Sequence, residues 1–168
     1  MKKICFVILL FYNFSLSQTI WKSSKYNYSI EIPSGFNIIH NTVGANVDLK
    51  AIDGENSIVV VIKSLPLEVS KYSIWNIFGD LKSYGSEWEK DAREFFNNPK
   101  FLKYGKTKIS GLETFWYDYS AESPNLYYKT YQLKKSNILY TITLTCSYSN
   151  VSKFSATWFR FKNNVKIN

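Results

Sequence analysis

Few residues in this sequence are suited to nucleophilic or metal chemistry. His40 is the only histidine, and the two cysteines are Cys5 and Cys146. A Ser-His-Asp or Cys-His device would have to use His40, yet no G-x-S-x-G nucleophile turn is present. Protein zinc sites need clusters of Cys and His, and none occurs here. We therefore expect no catalytic residue, no metal site and no cofactor.

Carboxylates offer another route to acid-base catalysis or to calcium binding. None of them has the spacing of an EF-hand loop. Four lie together on one side of a predicted helix, where a solvated face is the favoured interpretation: Glu87, Glu89, Asp91 and Glu94.

Asp118 is the carboxylate of most interest, because it lies in the aromatic stretch of residues 115–119 and could be partly desolvated there. The favoured interpretation is that its side chain points to solvent from the polar face of a strand.

Basic side chains concentrate in residues 99–108, with aromatic residues between them. This segment holds Lys100, Lys103, Lys106 and Lys108, together with Phe101 and Tyr104. Such a pattern could meet an anionic surface such as a lipid head group or a polysaccharide. The chain has only two arginines, Arg93 and Arg160, whereas specific phosphate and base contacts favour arginine. We therefore expect no nucleic-acid partner.

Two predicted strands are rich in rings, F-W-Y-D-Y from Phe115 and Y-Y-K-T-Y from Tyr127. Alternation places Phe115, Tyr117 and Tyr119 on one side of the first strand and Trp116 on the other. One side should be core, whereas the remaining rings could form a groove for a peptide, glycan or apolar ligand. With the basic segment, these strands define a candidate ligand or partner surface: Lys100, Lys103, Tyr104, Lys106, Lys108, Trp116, Asp118 and Tyr128.

Residues 1–17 have the layout of a secretory signal peptide. Lys2 and Lys3 precede an apolar run from Ile4 to Tyr12, and small residues follow at Ser15 and Ser17. The run is too short to span a bilayer, and no later segment is apolar enough to do so. We expect cleavage near Ser17 and an exported protein, periplasmic or secreted, with no transmembrane span.

The remaining chain, residues 18–168, has no linker or repeat and is predicted to form one domain and a monomer. Removing Lys2 and Lys3 from the 21 basic residues leaves 19 against 13 acidic residues, a moderate positive excess. Cys146 would be the only cysteine left, so no intramolecular disulfide could form. We expect Cys146 to be a small buried hydrophobic residue rather than a nucleophile.

Alternating apolar residues predict strands in the first part of this region. Predicted strands cover residues 26–32, 36–40, 47–52 and 57–63, and Asp53-Gly54 favours a hairpin between the last two. The unbroken apolar run from Ile58 to Ile62 is typical of a strand that is covered on both faces.

A helical period replaces alternation between Ser70 and Asn98. Apolar residues recur at spacings of three, four and seven, namely Trp75, Phe78, Leu81, Trp88, Ala92, Phe95 and Phe96. Glycine disfavours helix, so a break into two helices is expected near Tyr84-Gly85, and Pro99 should end the segment.

The second half is predicted to be an antiparallel meander over residues 103–109, 112–121, 126–135 and 137–146. Turn residues such as Ser110-Gly111 bound these strands. Val151, Phe154, Trp158 and Phe161 then indicate a C-terminal helix, with Ser149 or Asn150 as its N-cap. A polar tail is expected from Asn163 to Asn168.

The order of motifs resembles that of the PsbP-like family. The residues that carry the resemblance are Trp21, K-Y-N-Y-S-I-E-I-P-S-G-F from Lys25 to Phe36, G-A-N-V-D from Gly44 and G-E-N-S-I from Gly54. The later element order is similar over almost the whole of residues 18–168. The resemblance implies an α+β fold, a mainly antiparallel sheet flanked by helices on both faces, and an accessory or binding role. The signal peptide and the Lys, Asn, Ile and Tyr bias also resemble small exported proteins of Bacteroidetes-type bacteria.

These observations favour an exported, non-catalytic binding or accessory protein of the bacterial cell envelope whose partner is an envelope protein or glycan. Two alternatives stay open. One is an envelope hydrolase that uses a carboxylate or His40 in a cleft, and the other is a surface protein that binds anionic polymer through Lys100–Lys108.

Overall fold

The structure is a computed structural model, and it describes residues 19–40, 44, 46–78, 81–123 and 125–168. The predicted signal peptide, residues 1–17, lies outside the described residues.

The described strands are β1 (Thr19–Lys22), β2 (Tyr28–Ile32), β3 (Asn37–Ile38), β4 (Val47–Asp53), β5 (Asn56–Ser64), β6 (Lys100–Ile109), β7 (Leu112–Ala121), β8 (Leu126–Lys135), β9 (Ile138–Ser147) and β10 (Val165–Ile167). The described helices are α1 (Leu67–Ser70), α2 (Ile74–Phe78), α3 (Leu81–Ala92) and α4 (Val151–Asn163).

Seven strands form the main sheet in the order β3-β4-β5-β9-β8-β7-β6, and every neighbouring pair is antiparallel. A small second sheet has the order β1-β2-β10. The predicted meander is confirmed in β6 to β9, and β7 and β8 begin and end at the predicted residues. At the β6–β7 turn Ser110 and Gly111 have φ of 53° and 77°, as a type I′ hairpin requires.

Two apolar clusters lie on opposite faces of the main sheet. On one face, Ile30 of β2, Ile142 of β9 and Trp158 of α4 belong to a large core between the main sheet, the small sheet and α4. On the other face, Ile74 of α2 and Phe115 of β7 belong to a smaller, ring-rich core. The predicted arrangement, a mainly antiparallel sheet with helices on both faces, is therefore present.

The large core contains the apolar row of β9 as expected. Ile142, Leu144 and Cys146 are buried there, and Cys146 is a free thiol. The predicted burial of Cys146 as a small hydrophobic residue is confirmed.

The predicted helix break at Tyr84-Gly85 is wrong, because both residues lie inside α3. Gly85 is buried against β6, and a Cβ on it would lie 2.8 Å from Cδ1 of Phe101. Glycine here permits close helix-to-sheet packing, which outweighs its poor helix propensity. Helix α2 ends at Phe78, and α3 begins at Leu81.

Two other features of this segment differ from the prediction. Helix α3 ends at Ala92, well before Pro99. The Phe95 side chain was expected on the apolar face, but it is 79% exposed, because the chain has turned away from the helix axis at this point.

The predicted polar tail is wrong over its last residues. Val165 and Ile167 are buried in β10, which pairs with β2, and the backbone N–H of Ile167 also donates to Oγ of Ser110 at 3.0 Å. Three residues with a lysine between two apolar side chains are too few to produce a recognisable period. The first strand, β1, was not predicted, and β3 is shorter than the predicted strand of residues 36–40.

Candidate functional site

An open cleft lies between α4 and the outer strands of the main sheet. Helix α4 packs against β9, and it covers the same face of the outer strands β6 and β7 only in part. The cleft has a volume of about 420 Å³. We call it the α4 cleft, and its lining residues are Lys103, Thr107, Trp116, Asp118, Tyr127, Lys129, Tyr131, Val151, Ser155, Trp158, Phe159 and Lys162.

Strand alternation explains which side chains reach the α4 cleft. Asp118 of β7 is the register partner of Lys103 on one side and of Lys129 on the other. Directly paired residues of neighbouring strands point to the same face of a sheet, so these three side chains share the cleft face.

Asp118 lies at the inner end of the cleft and is only 4% exposed. Its Oδ1 is 2.8 Å from Nζ of Lys129, and its Oδ2 accepts a hydrogen bond of 2.5 Å from the hydroxyl of Tyr127. The expectation that Asp118 points to solvent is wrong, because α4 and its neighbours cover this part of the sheet. A buried carboxylate needs such partners, since loss of hydration would otherwise be costly.

Tyr127 and Tyr131 are neutral donors at ordinary pH. Burial raises the pKa of Tyr127 above its usual 10.0, and the hydrogen bond to Asp118 raises it further. Burial raises the pKa of Tyr131 as well, and the negative charge of Asp118 adds to that effect. Both phenols therefore keep their protons, and Tyr127 can serve as a lasting donor to the carboxylate.

The Trp116 indole lies over Gly105, its register partner on β6. A Cβ on Gly105 would stand 2.8 Å from Cζ2 of that ring. The ammonium of Lys129 lies 4.0 Å from the Trp116 ring centroid and 5.7 Å from that of Tyr131. Lys129 is thus held by two rings and one carboxylate, and its charge is neutralised inside the protein.

Helix α4 contributes the opposite side of the cleft. Trp158 is buried and stacks on Tyr127, with ring centroids 5.6 Å apart and planes 11° apart. Phe159, in contrast, is 62% exposed, and Nζ of Lys162 lies 4.6 Å from its ring centroid. The helix therefore presents a buried ring at the base of the cleft and an exposed ring beside a cation at its entrance.

A second hollow adjoins the cleft near the first residues of β6. Its volume is about 370 Å³, it shares Lys103, Tyr127 and Val151 with the α4 cleft, and Leu102 and Tyr148 complete its lining. The two cavities therefore adjoin, and apolar side chains form much of both linings.

The structure brings only some of the sequence-predicted site residues together. Lys103, Trp116 and Asp118 line the α4 cleft. Tyr128 instead stacks on Tyr119 within the ring-rich core on the other face, with ring centroids 4.4 Å apart.

The remaining candidates lie on β6, the edge strand of the main sheet. Lys106 lies over Trp75 of α2, on the face opposite the cleft, and Tyr104 contacts Phe101 of the ring-rich core. Lys108 is the register partner of Glu113, and Lys100 forms a solvent-exposed ion pair with Glu122 at 3.8 Å. The predicted basic segment is thus divided between two faces of the sheet.

Sequence reasoning missed five important lining residues: Tyr127, Lys129, Trp158, Phe159 and Lys162. The ring-rich strand pair did contain Tyr127 and Lys129, and alternation in Y-Y-K-T-Y would have placed both on one face. No signal in the sequence indicated that α4 would lie opposite them, because its apolar period identifies only the side that is buried.

The other chemical candidates lie apart from the cleft. His40 is exposed beyond the end of β3 and is not among the lining residues. Glu89 of α3 accepts a hydrogen bond of 2.7 Å from the backbone N–H of Phe101, whereas Glu87 and Asp91 are exposed as expected. Within the described ranges, no group of three or more His, Cys, Asp and Glu side chains could hold a metal ion. None of the described helices is both long enough and apolar enough to cross a membrane.

The fold is similar to those of other solved proteins. The solution structure of cyanobacterial PsbP (CyanoP) from Synechocystis sp. PCC 6803 matches with a TM-score of 0.71 and 13% identity over 91% of this chain and 94% of that chain. LpqN, described as involved in cell envelope biogenesis of Mycobacterium tuberculosis, matches with a TM-score of 0.57 and 6% identity over 89% and 90% of the two chains. No protein-family model and no curated protein matches the sequence. At such identities the similarity concerns the fold alone. The chain has a PsbP-like α+β fold.

Proposed function

We propose that this protein is an exported, non-catalytic binding protein of the bacterial cell envelope, and that the α4 cleft is its binding site. One observation carries the proposal: five aromatic side chains and three lysines converge on one open cleft of about 420 Å³. That volume lies within the usual range of ligand pockets, which are lined mostly by apolar and aromatic groups.

The chemistry of the cleft favours binding over catalysis. Asp118 is the one carboxylate among its lining residues, and both of its oxygens already have partners. The Ser155 hydroxyl donates to the carbonyl oxygen of Ser152 at 2.9 Å, so no base activates it as a nucleophile. A hydrolase with paired carboxylates would need a second carboxylate beside Asp118, and none is among the lining residues.

The envelope location is supported by the signal-peptide layout of residues 1–17 and by the similarity of the fold to that of LpqN, a protein involved in cell envelope biogenesis. The polymer-binding alternative has less support, because alternation along β6 distributes its lysines over both faces of the sheet. A monomer that engages its envelope ligand through the cleft is the arrangement we propose.

The test is retention of a ligand from an envelope extract of the source cell. The wild-type protein is incubated with the extract, isolated by gel filtration, and its bound molecules are identified by mass spectrometry. Ser155→Trp fills the cleft from α4, and Ser152→Trp is its matched control, because Ser152 is an exposed serine of the same helix outside the lining.

We expect wild type and Ser152→Trp to retain the same molecules and Ser155→Trp to lose them. Circular dichroism establishes that both variants are folded. Equal retention by all three proteins, or no retention by a folded wild type, would contradict the proposal. Recovery of the protein from the cytoplasmic fraction of the source cell would contradict its export.

A further inference from the structure

We infer that the ligand of the α4 cleft is a single-chain amphiphile with an anionic head, such as a fatty carboxylate or an alkyl phosphate. This inference rests on the proposed function and adds the chemical class of ligand. It follows from three properties of the cleft: its free charge, the kind of polar group that it lacks, and its shape.

The free charge of the cleft is positive. Three lysines face one carboxylate, and Asp118 is already paired with Lys129. Lys103 on β6 and Lys162 on α4 have no ion-pair partner among the described residues, and they lie on opposite sides of the cleft. An anionic head beside either lysine would meet an ammonium group, which attracts carboxylate, phosphate or sulfate alike as a point charge.

The polar groups that would bind the hydroxyls of a sugar are scarce. Saccharide rings need many directional hydrogen bonds besides an aromatic platform, and Asn, Gln, Arg, Glu and His are all missing from the described lining residues. The aliphatic hydroxyl groups among the lining residues are those of Thr107 and Ser155, and the Ser155 hydroxyl already donates to a backbone carbonyl. A ligand body with few polar atoms therefore fits better, because it leaves fewer groups desolvated without partners.

The two adjoining cavities provide a path for a linear chain. The α4 cleft continues past Tyr127 and Val151 into the hollow beside Leu102 and Tyr148. Exposed apolar side chains occur at both ends, with Phe159 62% exposed at one end and Leu102 39% exposed at the other. An alkyl chain lying along this path would remove apolar surface of both partners from water.

The test compares ten-carbon chains that differ only in their head groups, all at concentrations below micelle formation. Binding of decanoate, decyl phosphate, decyl maltoside and decyltrimethylammonium to the purified protein is measured by calorimetry and by the fluorescence of the cleft tryptophans. Oligogalacturonate serves as an anionic saccharide without an alkyl chain.

Two lysine pairs separate a local effect from a change in net charge. Lys103→Ala/Lys162→Ala removes the two free cations of the cleft. Lys106→Ala/Lys108→Ala removes the same charge from β6 residues that are not among the lining residues.

We expect decanoate and decyl phosphate to bind, and the cleft pair to weaken that binding at least about tenfold, as loss of charged hydrogen bonds does. The control pair should change it less than about twofold, a difference typical of screened, distant charges. Ser155→Trp should abolish binding, and the cationic chain should bind much more weakly than the anions. The ratio of the affinities for decanoate and decyl phosphate shows which head group the cleft prefers, that of a free fatty acid or that of a phospholipid derivative.

Other outcomes overturn the inference in distinguishable ways. If decyl maltoside binds as tightly as decanoate and the cleft pair has no effect, the charge argument is wrong although the cleft still binds. If oligogalacturonate binds, the alkyl chains do not, and Ser155→Trp abolishes oligogalacturonate binding, then the inferred alkyl chain of the ligand is wrong but the proposed function stands. If no probe binds and Ser155→Trp changes nothing in the extract experiment, both proposals fail.

Discussion

Nζ of Lys129 lies 2.8 Å from Oδ1 of Asp118, and the two residues are direct register partners on β8 and β7. The Lys129 side chain is 19% exposed and that of Asp118 5%, so that the ion pair is mostly removed from solvent. Ion pairs of this kind contribute little net stability, but removing one partner destabilises the fold because the other charge is left without compensation.

The first prediction concerns this pair. Asp118→Leu and Lys129→Met should each lower the free energy of unfolding by about 3 kcal/mol, because each leaves a buried charge without its partner. The double variant should lose clearly less than the sum of the two single losses. Urea unfolding at neutral pH measures all four proteins, and strictly additive losses would contradict the coupling.

A second prediction concerns Gly105 and the position of the Trp116 indole. Gly105→Ala should lower the free energy of unfolding by about 1–3 kcal/mol, since the new methyl group overlaps the ring at 2.8 Å. Urea unfolding measures the loss of stability, and the tryptophan emission maximum reports a change in the surroundings of the indole. In a Trp116→Leu background the same substitution should cost much less, and an equal cost there would show that the indole is not the cause.

Gly85→Ala should change the free energy of unfolding in opposite directions in the presence and in the absence of the Phe101 ring. Alanine favours helix over glycine by about 1 kcal/mol, but here its Cβ would lie 2.8 Å from Cδ1 of Phe101. The Phe101 ring cannot move freely, because it stacks on Tyr117 with centroids 5.5 Å apart. Gly85→Ala should therefore destabilise the wild type but stabilise a Phe101→Ala variant. Thermal unfolding of the four proteins decides the matter, and the same sign in both backgrounds would contradict this explanation.

The C-terminal strand should contribute measurably to stability. Ile167→Ala is expected to lower the free energy of unfolding by about 2–4 kcal/mol, because it empties a buried site between β10 and the rest of the large core. Lys166→Ala is the matched control, since Lys166 is exposed in the same strand and its loss should stay within about 0.5 kcal/mol. Similar losses from both substitutions in urea unfolding would show that β10 does not pack as described.

Cys146 supplies a prediction about pH. Burial raises the pKa of its thiol from 9.0 to about 11, so that the folded protein keeps the thiol proton in a range where the unfolded chain releases it. The free energy of unfolding should consequently fall as pH rises from 9 toward 11. In a Cys5→Ser background, iodoacetamide should modify the native protein slowly at pH 8 and the urea-unfolded chain rapidly.

The Cys146→Ala variant provides the control for that pH effect. It should show a shallower decrease in stability between pH 9 and 11, and the part that remains arises from buried tyrosines such as Tyr127, whose pKa is also raised by burial. A decrease of the same size in both proteins would show that Cys146 makes no contribution.

The strands of the main sheet could be predicted from the sequence where the signal depends only on neighbouring residues. Alternation and turn residues lie within a few positions of one another, and for this reason the bounds of β7 and β8 agree with the prediction. The helix break was misplaced because Gly85 was judged by propensity alone, whereas its contact with Phe101 on a strand distant in sequence determines what it does. Strand β10 was not predicted, because Val165 and Ile167 are buried on a common side only once β10 pairs with β2.

The candidate site likewise combines features that follow from local periodicity with features that depend on tertiary packing. The sequence by itself determined that Trp116 and Asp118 share one face of a strand and that Phe115 and Tyr117 share the other, since the period of a strand is two. Which face would be closed and which would remain partly open was decided by the tertiary structure. Helices α2 and α3 cover the Phe115 side, and α4 covers only part of the Trp116 side. Asp118 is buried and paired, and the cleft exists, because a helix more than thirty residues later in the chain (Val151–Asn163) docks on β9 rather than on β7.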